Sequence, residues 1–350
     1  MNVTERSIGS HDLVMWATDE TSGMQAAVAL HTSQAPALGQ LVHDPAADPT
    51  DAILGALRRS ELATRRARLL GVPVGGAAAV LAGGAHGPAL FTAFGRVLER
   101  LEGRLWVMPG PGCGPADLQV AARVRDCVAG AAEGADLLPA EARGAVAAAR
   151  SAWIHVSGDA NLAGARVVVL GTGRIAAGAA RMLAGQDAVV VIAGADRDRA
   201  AALAAEVDGA VAAVEDALAG ECDVLMPCSD GLALRAGQVE ALRCRVMAGP
   251  ADGQLADPDV ARTLAACGIV WVPEVLAGAG GLLSAAREMG LGDLRGDADS
   301  DTTRIASVTS AVLAAADDLD TAAALERVAD ATPPTPAPDR PLTVRAMRAA

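Results

Sequence analysis

The chain has 350 residues, enough for about two domains that each bury a hydrophobic core. Its 42 acidic and 29 basic residues give a net charge of −13. This charge argues against nucleic acids and anionic membrane surfaces as partners, because both are bound through basic faces. All 29 basic residues are arginine and tyrosine is absent. Mechanisms that need a lysine base, a lysine Schiff base or a tyrosine–lysine pair are therefore excluded.

The six cysteines are scattered and form no CxxC pair, which argues against structural zinc and favours reduced thiols. The first residues mix charges and lack an apolar signal core. An uncharged stretch from Leu69 to Gly95 is long enough for a membrane span, but its prolines and glycines favour strands and loops. We expect a cytoplasmic protein with no metal and no membrane partner.

The first part of the chain mixes strands and helices. Pro49–Leu70 has apolar residues at helical spacing, with Asp51 as the candidate cap. Val72–Leu81 is predicted as a strand and loop interrupted by glycines. The other predicted elements are the strands Leu13–Ala17, Gln25–His31 and Trp106–Met108 and the helices Pro88–Leu101, Pro115–Gly130 and Ala140–Val156.

From Ala165 onward, short apolar strands alternate with helices, which predicts a parallel sheet covered on both faces. The predicted strands are Arg166–Leu170, Ala188–Ile192, Val224–Met226, Arg245–Ala248 and Ile269–Val272, and the predicted helices include Arg174–Ala184, Arg197–Glu206 and Thr302–Ala331. The fold class is therefore α/β with two domains. We expect an N-terminal substrate and oligomerisation domain (1–145), a Rossmann domain (146–295), a helix returning to the first domain (296–331) and a disordered proline-rich tail (332–350).

A dinucleotide motif follows the strand that ends at Leu170. It reads Gly171, Thr172, Gly173, Arg174, Ile175, Ala176, the pattern GxGxxA. The first glycine allows the tight turn, the second lets backbone N–H groups approach a pyrophosphate, and the alanine keeps helix and strand close. Because the motif lies between a strand and a helix, it predicts binding of NAD, with NADP as the alternative.

The ribose position stays open. An NAD enzyme places an acidic residue near the end of the second strand, and Asp196 could fill that role. Gly194 with Arg197 or Arg199 could instead receive a 2′-phosphate.

The chain resembles the Glu/Leu/Phe/Val amino-acid dehydrogenases, most closely the leucine, valine and phenylalanine enzymes. The resemblance runs in order from Leu13 to Arg327 with nearly constant spacing. In the second half it is carried by the glycine motif and by the segments Asn161–Gly164, Glu221–Cys228, Ala248–Leu255, Gly268–Glu274 and Gly278–Gly281. In the first half it is carried by Asp19–Met24, Pro36–Gly39 and Gly71–Gly76. The resemblance implies a substrate domain and a Rossmann domain that holds NAD(P) across a cleft, with Cys228 and Ser229 lining the cofactor site, and a homo-oligomer that acts on a small molecule.

The same resemblance implies that the reaction centre has changed. The family's catalytic lysine, in a Gly-Gly-Gly-Lys loop, aligns with Ala78, and its proton-shuttling aspartate aligns with Pro111. The lysine that holds the substrate carboxylate aligns with Arg66, and the family's paired glycines after Pro-Ala-Leu align with Gly39 and Gln40. The resemblance therefore implies Arg66 and Gly39 as substrate-binding residues. Arginine binds carboxylates well but does not release a proton near neutral pH.

Three functions remain open at this stage. The protein could reduce a preformed C=N or C=O group, since hydride delivery to an imine needs no activated water. It could be an inactive dinucleotide-binding protein that regulates a relative, or an amino-acid dehydrogenase with a relocated base. The candidate acids for the first function are His86, His43, Asp117 and Cys113, each of which is also a common structural residue.

Overall fold

The computed structural model describes residues 1–32, 36–131, 137–229, 231–291, 297–316 and 320–332. The chain divides into two compact units. Unit 1 contains the described residues of Met1–Leu137 and those from Leu282 to Leu291. Unit 2 contains the described residues of Leu138–Gly281 and of 297–332.

Unit 1 is built on a six-stranded mixed sheet with the strand order β1-β2-β3-β5-β4-β6. The pairs β1–β2, β2–β3 and β3–β5 are antiparallel, and β4 is parallel to both β5 and β6. Its elements are β1 (Asn2–Ile8), β2 (His11–Asp19), β3 (Met24–Leu30), β4 (Ala37–His43), α1 (Pro49–Leu69), β5 (Gly75–Ala82), α2 (Pro88–Arg100), β6 (Leu105–Pro109) and α3 (Pro115–Ala122). Strands β1 and β4 were not predicted from the sequence.

Helix α1 lies close against one face of this sheet. Its N-cap is Asp48, whose side chain accepts a hydrogen bond from the N–H of Asp51 at 2.9 Å, so the cap lies three residues before the predicted one. Pro49 follows at the first helical position, where a missing N–H costs nothing. The buried side of the helix is rich in alanine, and a Cβ on Gly76 of β5 would collide with the helix backbone. Small residues on both elements therefore allow the close approach.

Unit 2 contains a six-stranded parallel sheet with the order β12-β11-β10-β7-β8-β9. Its elements are α4 (Leu138–Ser157), β7 (Arg166–Leu170), α5 (Arg174–Ala184), β8 (Val189–Ala193), α6 (Arg197–Glu206), β9 (Ala210–Ala212), α7 (Val214–Ala219), β10 (Glu221–Pro227), α8 (Ala236–Val239), β11 (Arg243–Ala248), α9 (Val260–Ala266), β12 (Val270–Val272), α10 (Glu274–Ala277), α12 (Ala298–Ala315) and α13 (Thr321–Ala331). Helix α11 (Gly280–Glu288) spans the boundary between the units. The strand order is that of a Rossmann fold. The predicted α/β class with a Rossmann domain is confirmed.

Two predicted helices differ from the structure. Helix α3 ends at Ala122 and does not continue to Gly130, because the later segment pairs with β6. In that pairing Cys127 accepts a hydrogen bond from the N–H of Val107, and the N–H of Ala129 donates to the carbonyl of Val107. The segment Thr302–Ala331 contains two helices, because Asp320 caps α13 by accepting a hydrogen bond from the N–H of Ala323 at 2.8 Å.

The two last helices belong to unit 2. Helix α12 packs against α4, and α13 packs against α9 and β12. From the sequence, residues 296–331 were expected to form a helix that returns to the first domain. Apart from Thr332, the predicted disordered tail lies outside the described residues. Among the described residues, no helix is long and apolar enough to cross a membrane.

Candidate functional site

The glycine motif of unit 2 forms a tight turn at the carboxyl end of β7. The N–H of Gly171 donates to the carbonyl of Ala193 at 2.7 Å, and its φ of +131° is one that glycine adopts readily. A Cβ at this position would collide with the hydroxyl of Ser229. Gly173 then forms the N-cap of α5 without a side-chain cap, and a Cβ added there would meet no atom within 4 Å. The first N–H groups of α5 therefore face an open cradle.

The predicted cofactor residues from distant parts of the sequence meet at this turn. Strand β7 lies between β8 and β10, which is the point where the strand order reverses. The N–H of Cys228, which follows β10, donates to the carbonyl of Leu170 at 2.8 Å, so that Cys228 and Ser229 lie beside Gly171. Burial raises the pKa of the Cys228 thiol to about 12, which keeps it uncharged near neutral pH.

This arrangement fits a dinucleotide. An uncapped helix N-terminus offers N–H donors and a positive dipole end to a pyrophosphate. Ala176 is completely buried, so the helix packs closely on the sheet as the motif predicts. Thr172, Arg174 and Ile175 complete the turn and the first helical residues, and Arg174 is exposed.

The two candidates for the ribose position differ in their surroundings. Asp196 is the N-cap of α6, where one carboxylate oxygen accepts a hydrogen bond from the N–H of Arg199 at 3.0 Å and the other lies 3.2 Å from its Nε. Gly194 lies beside the glycine motif, because a Cβ there would come within 2.8 Å of the methyl carbon of Thr172.

In unit 1, Ala78, which the sequence resemblance predicts at the position of the family's catalytic lysine, lies inside a strand. Ala78 is completely buried in β5, where it pairs with Ala29 of β3 and Gln40 of β4. Gly39, one residue before Gln40, pairs with Ala77 and Val107, and a Cβ on it would collide with the Ala77 carbonyl oxygen. From the sequence, Val72–Leu81 was predicted as a strand and loop, and the structure makes Gly75–Ala82 a continuous strand.

Alternation along the strands places Ala78 and Gln40 on the face that α1 covers. Their neighbours Val80 and Val42 pack in one cluster with the α1 residues Ala52 and Ala56. On the same face, Nη1 of Arg59 on α1 donates to Oε1 of Gln40 at 3.2 Å. We call Arg59, Arg66, Ala78 and Gln40 the arginine face.

Arg66 lies on α1 seven residues after Arg59, which is two helical turns or roughly 10 Å along the axis on the same side. It is only 4% exposed, so it is not a solvated surface charge. The sequence analysis named Arg66 but missed Arg59. The seven-residue spacing of the two arginines was a signal that could have revealed it.

The candidate acids lie on the other face of the sheet, at the carboxyl end of β4. Nδ1 of His86 is 3.3 Å from Nδ1 of His43, and Nε2 of His86 is 3.2 Å from Oδ1 of Asp117. Both imidazole rings meet Phe91 of α2 edge-on. His43, Asp117 and His86 are called the histidine cluster below. His43 is 8% exposed, and its Nε2 has no hydrogen-bond partner among the described residues.

The loop after β6 connects to this cluster. The carbonyl of Pro111 accepts a hydrogen bond from the N–H of His43 at 3.0 Å, and the other carboxylate oxygen of Asp117 accepts one from the N–H of Gly114 at 2.8 Å. Burial, and secondarily the charge of Asp117, raises the pKa of the Cys113 thiol to about 12. Cys113 therefore neither donates nor accepts a proton readily near neutral pH.

Comparison with known proteins decides the family. The profile described as shikimate / quinate 5-dehydrogenase matches residues 155–243. Valine dehydrogenase from Streptomyces virginiae is 31% identical over 342 residues, which cover 92% of this chain and 93% of that protein. The chain belongs to the amino-acid dehydrogenase family. Leucine dehydrogenase from Geobacillus stearothermophilus, 28% identical over 80% of this chain and 78% of that protein, is another member.

Solved structures show the same fold. L-tryptophan dehydrogenase from Nostoc punctiforme superposes with a TM-score of 0.74 at 22% identity, covering 97% of this chain and 98% of that chain. A hetero-hexameric glutamate dehydrogenase from Thermus thermophilus, in a leucine-bound form, gives 0.71 at 21% identity, covering 95% and 89%. Amino-acid dehydrogenases are NAD(P)-dependent, so the predicted cofactor class is confirmed. Among the described residues, no group of three or more His, Cys, Asp or Glu side chains is arranged to hold a metal ion.

Proposed function

We propose that the protein is an NAD(P)H-dependent reductase of a preformed C=N bond that lies next to a carboxylate. The proposal depends mainly on one observation. The face that carries Ala78 presents arginine, glutamine and alanine, and the histidine cluster lies on the opposite face. The two imidazoles on the α1 side, those of His11 and His31, are hydrogen-bonded to the α1 hydroxyls of Ser60 and Thr64. No residue of the arginine face exchanges a proton readily near neutral pH.

A reaction at the arginine face would therefore proceed without proton transfer from Arg59, Arg66 or Gln40. Oxidative deamination needs a base to activate water, and a positioned base or acid contributes about 10²–10⁴ in rate. Reduction of a ketone also needs a proton for the new alkoxide. A protonated imine already carries its proton on nitrogen, so hydride addition to its carbon yields a neutral amine directly. The residues present therefore favour C=N over C=O reduction.

The two arginines define the substrate's other group. A guanidinium binds a carboxylate through two parallel N–H donors, and it remains charged when buried. We assign the substrate carboxylate to Arg66, which aligns with the family's carboxylate-binding lysine. Arg59 and Gln40 are hydrogen-bonded to each other and position this side of α1 against β4. Gly39 lets β4 and β5 approach closely, because a Cβ on it would collide with the carbonyl oxygen of Ala77.

Bound NADH or NADPH would supply the hydride that reduces the C=N carbon. The N–H groups at the start of α5 would hold its pyrophosphate, and the absence of a side chain at Gly173 leaves room for it. Cys228 and Ser229 border the same turn, and the thiol is uncharged.

The test is oxidation of reduced cofactor with three substrates: a cyclic imine carboxylate, the matching keto acid, and that keto acid with ammonia. We expect turnover with the preformed imine alone. Turnover of the keto acid with ammonia at a similar rate would contradict the proposal, because this reaction needs the missing proton transfers. Binding of cofactor with no turnover of any imine would instead indicate an inactive relative.

The carboxylate assignment has its own control. Arg66→Lys keeps the positive charge, whereas Arg66→Met keeps most of the side-chain volume and removes the charge. We expect Arg66→Met to raise KM by about tenfold or more with little change in kcat, and Arg66→Lys to fall between it and the wild type. Cofactor titration of each variant checks that unit 2 is unaffected. Equal KM values for the two variants would contradict the assignment.

We also propose that the chain forms a homo-oligomer. Strand β1 is the edge of the unit 1 sheet and most of its residues are exposed, which leaves one side of its backbone available for pairing. The glutamate dehydrogenase relative named above is described as hetero-hexameric. A molar mass measured by light scattering tests the proposal, and the mass of a single 35.0 kDa chain at working concentration would refute it.

A further inference from the structure

The adenosine end of the cofactor site is defined by the residue that follows β8. In Rossmann folds that bind NAD, an acidic side chain near the end of the second strand accepts hydrogen bonds from the ribose hydroxyls. In this chain, the second strand is β8 and the next residue is Gly194. A Cβ on Gly194 would lie 2.8 Å from the methyl carbon of Thr172, within the glycine motif. Position 194 therefore faces the cofactor turn, and it carries no carboxylate.

The nearest carboxylate along the chain is already engaged. Both oxygens of Asp196 contact Arg199, one through the backbone N–H at 3.0 Å and one through Nε at 3.2 Å. The hydrogen bond to the backbone N–H caps the N-terminus of α6, so turning the Asp196 side chain toward a ribose would remove the cap. Asp196 is therefore a structural residue of α6 and a poor acceptor for ribose hydroxyls.

Two arginines follow Gly194 closely in the chain and bring positive charge to the end of β8. Arg197 is the first residue of α6, is exposed, and has no ion-pair partner among the described residues. Arg199 is exposed as well, with its Nε on Asp196. An arginine close to the ribose is the feature that accommodates a 2′-phosphate, because guanidinium and phosphate form charge-assisted hydrogen bonds.

We infer that the protein discriminates in favour of NADP(H) over NAD(H), with Gly194 providing space for the 2′-phosphate and Arg197 binding it. Arg199 contributes mainly by occupying Asp196, which would otherwise repel the phosphate. This inference concerns the cofactor site of unit 2 alone, and it does not depend on C=N reduction.

The test measures binding and not turnover, by calorimetric titration of the intact protein with NADPH and with NADH. We expect NADPH to bind at least about tenfold more tightly, and its affinity to fall more steeply with salt because one more ion pair forms. Equal affinity for the two cofactors, or tighter binding of NADH, overturns the inference. Failure of both to bind would overturn the dinucleotide site as well, which distinguishes the two conclusions.

Two variants locate the effect. Arg197→Gln should weaken NADPH binding by about tenfold and leave NADH binding within about twofold, because only the former has a 2′-phosphate. Gly194→Asp should weaken NADPH and improve NADH, provided that Thr172 shifts to admit the new side chain. If Gly194→Asp fails to fold, Arg197→Gln alone decides the question.

The matched control is Arg181→Gln. Arg181 lies in the last turn of α5, where its guanidinium pairs with Glu206 at 2.6 Å, at the end of the helix far from the glycine motif. This variant removes one exposed arginine from the same helical layer, so it should leave the ratio of the two affinities unchanged. An Arg181→Gln ratio that falls as much as that of Arg197→Gln would show a general charge effect and overturn the assignment.

Discussion

Units 1 and 2 differ in the kind of group that forms their candidate sites, which is backbone in unit 2 and side chains in unit 1. In unit 2, the features needed for a dinucleotide are backbone features: a glycine with φ of +131°, an uncapped helix N-terminus and a reversal of strand order. In unit 1, the family's chemistry depends on individual side chains. There the strands and α1 are formed, and the sequence resemblance predicts Ala78 and Pro111 at the positions of the family's proton-transfer residues.

The difference shows how a site can change while its scaffold persists. A phosphate site made of backbone N–H groups is lost only if the turn itself changes, because the donors are present for almost any sequence that keeps the glycines. A proton-transfer site is lost by a single substitution, since the strand that carries it folds equally well with alanine. Unit 2 therefore keeps the family's ligand class, and the reaction that we propose differs from the family's in the side chains of unit 1.

The largest expected loss of ligand binding comes from filling the cradle in unit 2. In Gly173→Val, the new side chain meets no protein atom within 4 Å at its Cβ, so the fold should tolerate it. It would nevertheless occupy the space that the pyrophosphate needs. We expect dinucleotide affinity to fall by at least about 100-fold, with the melting temperature nearly unchanged. Calorimetric titration and thermal unfolding measure the two quantities, and unchanged affinity would mean that the cofactor does not bind at this turn.

The next prediction concerns the reactivity of the Cys113 thiol in unit 1. Because burial and Asp117 raise the pKa of Cys113 to about 12, its thiolate is scarce at pH 8. We expect alkylation of Cys113 to be about 1,000-fold slower than that of the exposed Cys267, as measured by mass spectrometry of labelled peptides. An unfolded thiol has a pKa of about 8.5, so the stability linked to Cys113 is present below that pH and is lost as the pH rises toward 12. Fast labelling of Cys113 at pH 8 would contradict the raised pKa.

A smaller effect is expected when proton-transfer groups are returned to unit 1. Ala78→Lys places a long side chain in the packed interface between β5 and α1, where overpacking costs about 1–3 kcal/mol of unfolding free energy. Desolvation of the ammonium group adds to this cost. Combined with Pro111→Asp, which keeps the backbone carbonyl that holds His43, it should give weak deamination of an aliphatic amino acid. Either single variant should give none, because groups that act as a unit contribute little alone.

Urea denaturation measures the stability cost, and formation of reduced cofactor measures the activity. If the folded double variant binds cofactor but never deaminates, the arginine face differs from the family's site by more than these two residues. Deamination by the wild type at ordinary dehydrogenase rates would contradict the role assigned to Ala78.

How much of this was predictable from the sequence differs between the units. The turn at Gly171 and the strands around it follow from local patterns, in which glycine spacing and apolar runs fix the structure within about thirty residues. The separation of the arginine face from the histidine cluster follows from the register of β4, a strand that was not predicted. Gln40 and His43 point to opposite faces because they are three residues apart, and their neighbours come from β5, α1 and α2. Such pairings depend on contacts between distant segments.

The smallest expected effect tests whether the histidine cluster takes part in the reaction. In Asp117→Asn, the amide oxygen can still accept the hydrogen bond from the N–H of Gly114, while the charge next to Nε2 of His86 is lost. Since the imidazole of His86 is about half exposed, we expect unfolding free energy to fall by at most about 1 kcal/mol.

The rate of C=N reduction in Asp117→Asn should stay within about threefold of the wild type, because the cluster lies on the face opposite Gln40 and Ala78. The matched variant is His86→Gln, which removes the half-exposed imidazole that pairs with Asp117. If either variant lowered kcat by the 10²–10⁴ that a positioned acid supplies while cofactor affinity stayed constant, the histidine cluster would be the proton donor. A ketone would then be as good a substrate as an imine, and the difference between the two faces would lose its functional meaning.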